Sequence, residues 1–120
     1  MELLKKDRAY ATGTQLMGYL CLNYDEIVSI FGEPNYGPSG DSKTDWEWIF
    51  EINKNVITIY NYKTGPAYTR DRTIRPQDID SWHIGGSDII VLNLINKYIS
   101  NVTGDKFSGR GDLVVMDRFI

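Results

Sequence analysis

The sequence predicts an α+β fold, a small antiparallel sheet covered on one face by two helices. Three observations lead there. A two-residue alternation runs through residues 45–52, and a run rich in β-branched and aromatic residues follows at 56–62, the pattern of a half-buried hairpin. Two apolar stripes at three- and four-residue steps, at 27–31 and 90–102, read as helices that each bury one side. The order is strand, helix, hairpin, short strand, long helix, possible strand, and packing both helices on one sheet face is the simplest way to bury those stripes.

Residues 1–12 are charged and aperiodic and are expected to form a flexible arm, frayed or partly ordered. Residues 14–22, mostly apolar and bounded by Gly13 and Asn23, read as a first strand. Asn23 then caps a helix, its side-chain oxygen accepting an orphan N–H while Glu26 answers at the third helical position. Ile27, Val28, Ile30 and Phe31 make its buried stripe, and Gly32 with Pro34 ends it. The loop 33–43 is filled by Gly, Pro, Ser, Asn and Asp. In the hairpin, Trp46, Trp48, Phe50 and Ile52 point one way and Asp45, Glu47 and Glu51 the other, with Ile49 the exception. Asn53, Lys54 and Asn55 make the turn.

Thr64, Gly65 and Pro66 break the returning strand, and Pro76 opens a single helical turn. Residues 81–84 read as a short strand, Gly85-Gly86 as a turn, and Ser87 or Asp88 as the cap of a long helix ending near Ser100. Its stripe is Ile90, Val91, Leu94, Ile95, Tyr98 and Val102. Residues 113–116 are a possible last strand. At 120 residues the chain fits a single domain, 1–120, with residues 104–120 as a peripheral tail.

Composition removes several functions. With one Cys, Cys21, and one His, His83, there is no internal disulfide, Cys-based zinc site or multi-histidine metal centre. No metal and no cofactor is expected. A formal charge of -3 argues against whole-surface nucleic-acid binding, which normally shows as a basic domain. No stretch approaches the ~20 apolar residues of a membrane span, and the N-terminus lacks the apolar core of a signal peptide. The expected location is the cytoplasm, so the Arg110-Gly111-Asp112 tripeptide and the Asn101-Val102-Thr103 sequon carry no meaning.

Four strings stand in order: Phe31-Gly32-Glu33-Pro34, Asp45-Trp46-Glu47-Trp48, Thr58-Ile59-Tyr60-Asn61-Tyr62-Lys63 and Trp82-His83-Ile84-Gly85-Gly86. As a set, covering roughly residues 13–99, they resemble a group of small uncharacterised proteins encoded by bacteriophages and large DNA viruses. The resemblance implies a virus-encoded accessory protein in the host cell. It carries over no catalytic residue.

Each local motif has a chemical reading and a plainer one. Gly85, Gly86 and Ser87 before a helix would let an anion reach exposed N–H groups, with Arg70, Arg72 or Arg75 adding charge-assisted bonds to a phosphate. The plainer reading is a tight turn and a cap, and Asp88 would repel the anion. His83 would serve as a general base if Asp78 or Asp80 oriented it, against a histidine that merely satisfies a sheet edge. Residues 37–44 look like a phosphate loop but fail: Ser42 precedes Lys43 and a strand follows.

The stretch 25–51 holds seven acids against Lys43 alone. Asp45, Glu47 and Glu51 would share a strand face, about 6.8 Å per two residues, close to the phosphate spacing of nucleic acid. Mimicry toward a basic partner competes with an ordinary solvated face. Tyr36, Tyr62 and Tyr68, in or beside loops, are further contact candidates.

Three functions follow. The leading one is a non-enzymatic accessory protein that binds and blocks a host or defence factor through the acidic strand face. The alternative is a module that binds or sequesters a nucleotide or phosphate. The third is a small hydrolase using His83.

Overall fold

The computed structural model describes residues 1–119. Among these are six strands, β1 (Leu3–Lys5), β2 (Gln15–Leu20), β3 (Glu47–Ile52), β4 (Asn55–Tyr60), β5 (Trp82–Gly86) and β6 (Val114–Met116). Three helices, α1 (Tyr24–Phe31), α2 (Pro66–Thr69) and α3 (Ile90–Thr103), and two 3-10 turns, Arg8–Ala11 and Pro76–Asp78, are the other elements of the described residues. The strands form one sheet in the order β1-β3-β4-β5-β2-β6, antiparallel throughout. The α+β class holds. No helix of the described residues is long and apolar enough to cross a membrane.

Local chemistry sets several elements as the sequence predicts. Asn23 and Glu26 form the reciprocal capping box of α1, the Asn23 side chain accepting from the Glu26 amide at 2.8 Å and Glu26 accepting from the Asn23 amide at 3.0 Å. The β3–β4 hairpin turns on Asn53 and Lys54, both at positive φ (50° and 65°). A two-residue turn of that hand matches the twist of the paired strands. Trp48, Phe50 and Ile52 are buried on one face of β3, as the alternation requires.

The helices cover that face. Trp48 donates from Nε1 to the Gly32 carbonyl at 2.7 Å, tying β3 to the end of α1. The Trp48 and Trp82 rings meet edge-on at 5.4 Å, and Phe31 stacks between Phe50 and Tyr98 at 5.3 and 5.4 Å. Leu20, Ile57, Ile59 and Ile84, all fully buried, complete the layer. Burying each such side chain contributes roughly 1.5–3 kcal/mol before chain entropy is counted.

Four expectations are corrected. Gly85 and Gly86 are not a turn: they are buried residues of β5, flanked by β4 and β2. A Cβ on Gly85 would overlap the Thr58 hydroxyl, and one on Gly86 would lie 2.8 Å from Val91 Cγ1. These glycines let β4 and α3 approach β5 closely, which a sequence reads as flexibility. The N-terminal arm is ordered beyond the partial order expected: Leu3, Leu4 and Lys5 pair with Ile52, Glu51 and Phe50, and Arg8–Ala11 form a 3-10 turn. In α3, Ile90 and Val102 are exposed; the buried stripe is Val91, Leu92, Leu94, Ile95 and Ile99. The stripe starts one residue later because the chain leaves β5 through Ser87–Ile89 before the first helical turn. Within 104–119, Phe107 is buried in the core and β6 joins the sheet.

Gly18 in β2 is a sharper constraint. A Cβ there would overlap the Val115 carbonyl oxygen and meet Leu92 Cδ2 at 3.0 Å. Gly18→Ala is therefore expected to destabilise the chain by about 1–3 kcal/mol in urea denaturation, whereas Gly37→Ala, with no atom within 4 Å of the new carbon, leaves the midpoint nearly unchanged.

Candidate functional site

The sheet face opposite the helices is divided. Lys6 and the 3-10 turn Arg8–Ala11 lie against β3 and β4, where Ile49 and Thr58 are buried. Beside this covered half, a row of residues crosses the sheet at one register. Val115 faces Tyr19, Tyr19 faces His83, His83 faces Tyr60, Tyr60 faces Glu47, and Glu47 faces Tyr36. Directly opposed residues share a face, so the row spans roughly 24 Å at about 4.8 Å per strand.

His83 is its centre. The Tyr19 and Tyr60 rings meet the imidazole edge-on at 5.2 and 5.3 Å, and Tyr62 stacks on it at 5.6 Å with an interplanar angle of 28°. Lys63 Nζ stands 5.3 Å from the Tyr62 ring and 5.4 Å from the Tyr68 ring. Tyr62 and Tyr68, separate candidates in the sequence, thus share one cation. At the other end the Arg8 guanidinium lies 4.6 Å over the Tyr36 ring, and the Arg8 amide donates to the Tyr36 hydroxyl at 2.8 Å.

Burial disfavours charge on the rings of this row, while Glu47 stands against the Arg8 guanidinium. Desolvation lowers the His83 pKa below 6.5, partly opposed by Asp117. Burial, then Glu47 and the neighbouring tyrosines, push Tyr60 up to about 12. Tyr19 is raised by burial and by Asp117, to which its hydroxyl bonds at 3.3 Å. Glu47 is raised by desolvation against the pull of Arg8. Neutral rings with hydroxyl and imidazole tips are suited to contact and hydrogen bonding; no activated nucleophile is among them.

The acidic strand face is not an open charged surface. Asp45 is buried, its carboxylate accepting from Asn61 Nδ2 at 3.1 Å and the Ala67 amide at 2.9 Å. The amides of Asp45 and Trp46 both donate to Asn61 Oδ1, so Asp45 serves the join between β3 and α2. Glu47 faces Arg8 and Glu51 faces Lys6, each at 3.8 Å. The basic N-terminal segment, read from sequence as an arm, covers these acids.

The other constellations also separate. Asp78 accepts from the amide and guanidinium of Arg75 at 2.8 and 3.1 Å, and no hydrogen bond joins His83 to Asp78 or to Asp80 among the described residues. Gly85 and Gly86 are buried in the sheet, while Ser87 is exposed. Arg70 and Arg72 instead line a cleft of about 480 Å³ with Pro38, Asp45, Pro66 and Ala67. Among the described residues no group of three or more His, Cys, Asp or Glu side chains is placed to hold a metal ion.

Sequence reasoning passed over Tyr19 and Tyr60. Each sits between two core positions, Gly18 and Leu20, Ile59 and Asn61, which marks it as facing away from the helices. Strand register, which alone brings them beside His83, is not written in any one segment.

The direction of the His83 shift gives a pH dependence. Its folded pKa lies below the unfolded value, so protons bind the unfolded chain more readily. Stability is full above about pH 6.5 and falls as pH drops through the folded pKa. Urea denaturation between pH 8 and 5 is expected to show a smaller loss for His83→Phe than for the parent chain. No family model, curated protein or solved structure matches the chain.

Proposed function

We propose that the chain is a non-enzymatic binding protein that captures a protein partner on the aromatic row, acting as a virus-encoded accessory protein that blocks a host or defence factor in the host-cell cytoplasm. The observation that carries this reading is the row itself, Tyr19, His83, Tyr60 and Tyr62 gathered on the face left open by the helices. Tyrosine supplies large contact area with two torsions to immobilise and concentrates at interface hot spots. The row's neutrality favours protein over nucleic acid, whose capture needs free cations against phosphates. Arg8 is already held by Glu47 and Tyr36.

The resemblance to viral accessory proteins supports the blocking role. Among the described residues no carboxylate is bonded to His83, which counts against the hydrolase reading. A second reading, capture of a phosphate-bearing small ligand, has one observation in its favour: Arg70 and Arg72 flank the Pro38–Pro66 cleft and pair with no carboxylate among the described residues.

Pull-down from host lysate, followed by titration of the captured protein, tests the main reading. Tyr62→Ala and Tyr19→Ala are each expected to weaken capture by about tenfold or more, while Lys97→Ala, exposed on α3, leaves it unchanged. Equal capture by all variants would contradict the assignment. Nucleotide-induced stabilisation that Arg70→Ala and Arg72→Ala abolish would favour the second reading.

A further inference from the structure

Strand β6, three residues long, ends the sheet, and its shortness is the one usual edge protection it has. Native edge strands commonly carry a lysine, a proline or a bulge that discourages pairing with another chain. The opposite edge, β1, has Lys5 within it and Lys6 beside it. β6 reads Val114-Val115-Met116, with Val115 and Met116 exposed and Phe119 81% exposed just beyond.

The free main-chain groups of this edge can be named. The Cys21 amide donates to the Leu113 carbonyl at 2.7 Å, and the Asp117 amide donates to the Met17 carbonyl at 2.9 Å. Tyr19 and Val115 lie opposite each other between these bonds. Leu113, Val115 and Asp117 therefore turn their main-chain groups toward β2, and Val114 and Met116 turn theirs outward.

We propose that β6 pairs antiparallel with β6 of a second copy of the chain, about a two-fold axis at Val115. In that register Val114 and Met116 of each copy exchange main-chain hydrogen bonds, and the two Val115 side chains form the closer, non-hydrogen-bonded pair. Charge selects this register over its neighbours. Continued past the ends of the strand, to Asp112 on one side and the turn at Arg118 on the other, centring on Val115 brings Arg118 toward Asp112 of the second copy, twice by symmetry. Centring on Val114 would set Arg118 against Arg110, and centring on Met116 would leave Arg118 against Val114 and Asp117 against Val115.

The contact joins two six-stranded sheets into one. Val115 is also the last member of the aromatic row, so the two rows meet end to end at the axis. A three-residue strand contact falls at the small end of protein interfaces, which implies a reversible dimer formed at high micromolar concentration rather than an obligate one.

Sedimentation velocity from about 1 μM to about 1 mM is expected to show a monomer–dimer equilibrium for the full chain. Val115→Lys sets two ammonium groups across the axis and is expected to abolish the dimer with the fold retained. Asp112→Arg should weaken association by about tenfold, and adding Arg118→Asp should restore it. In a Cys21→Ser background, oxidised Val115→Cys should crosslink, since a non-hydrogen-bonded antiparallel pair sets Cα atoms about 4.5 Å apart. Met116→Cys, offset from the axis, should not. A chain monomeric at every concentration, or a dimer indifferent to Val115→Lys or to the charge exchange, would overturn the proposal.

Discussion

The seating of β5 between β4 and β2 governs both faces of the sheet. Gly85 leaves room for the Thr58 side chain and Gly86 for Val91, where any side chain would intrude. On the helix side this closeness lets α3 lie flat and bury Val91, Leu94 and Ile95 with Trp82 and Ile84. On the other side the same register sets His83 between Tyr19 and Tyr60. One strand thus fixes the core and the open surface together, because successive residues of a strand alternate between faces.

Charge is distributed to match. The acids of β3 would give an exposed hairpin a strong negative field, yet Lys6 and Arg8 lie over Glu51 and Glu47. Exposed pairs of this kind add little stability, typically about 0–1 kcal/mol. Their effect is on the surface: they leave the neighbouring row of rings neither acidic nor basic. Burial completes that neutrality by disfavouring imidazolium and phenolate alike. A surface of this kind recognises shape and hydrogen-bonding pattern more than charge.

Much of the fold was legible in the sequence because its signals are local. The capping box at Asn23 and Glu26, the Asn53-Lys54 turn and the alternation through Trp48, Phe50 and Ile52 each follow from neighbours within a few residues. The site was legible only in fragments. Tyr36, Glu47, Tyr62 and His83 stood out singly, but their meeting depends on pairings between segments far apart in the chain, set by the whole sheet. Gly85-Gly86 misled for a physical reason: glycine serves turns and close strand approaches equally well. The acids misled because their partners, Lys6 and Arg8, sit some forty residues away.

Proton–proton contacts in a nuclear Overhauser spectrum give the most direct test of the aromatic row. Cross-peaks from the His83 ring to the rings of Tyr19, Tyr60 and Tyr62 together are the result expected of the register that builds it. A His83 ring with no tyrosine neighbours, or one in contact with Asp78 and Asp80 instead, would contradict it.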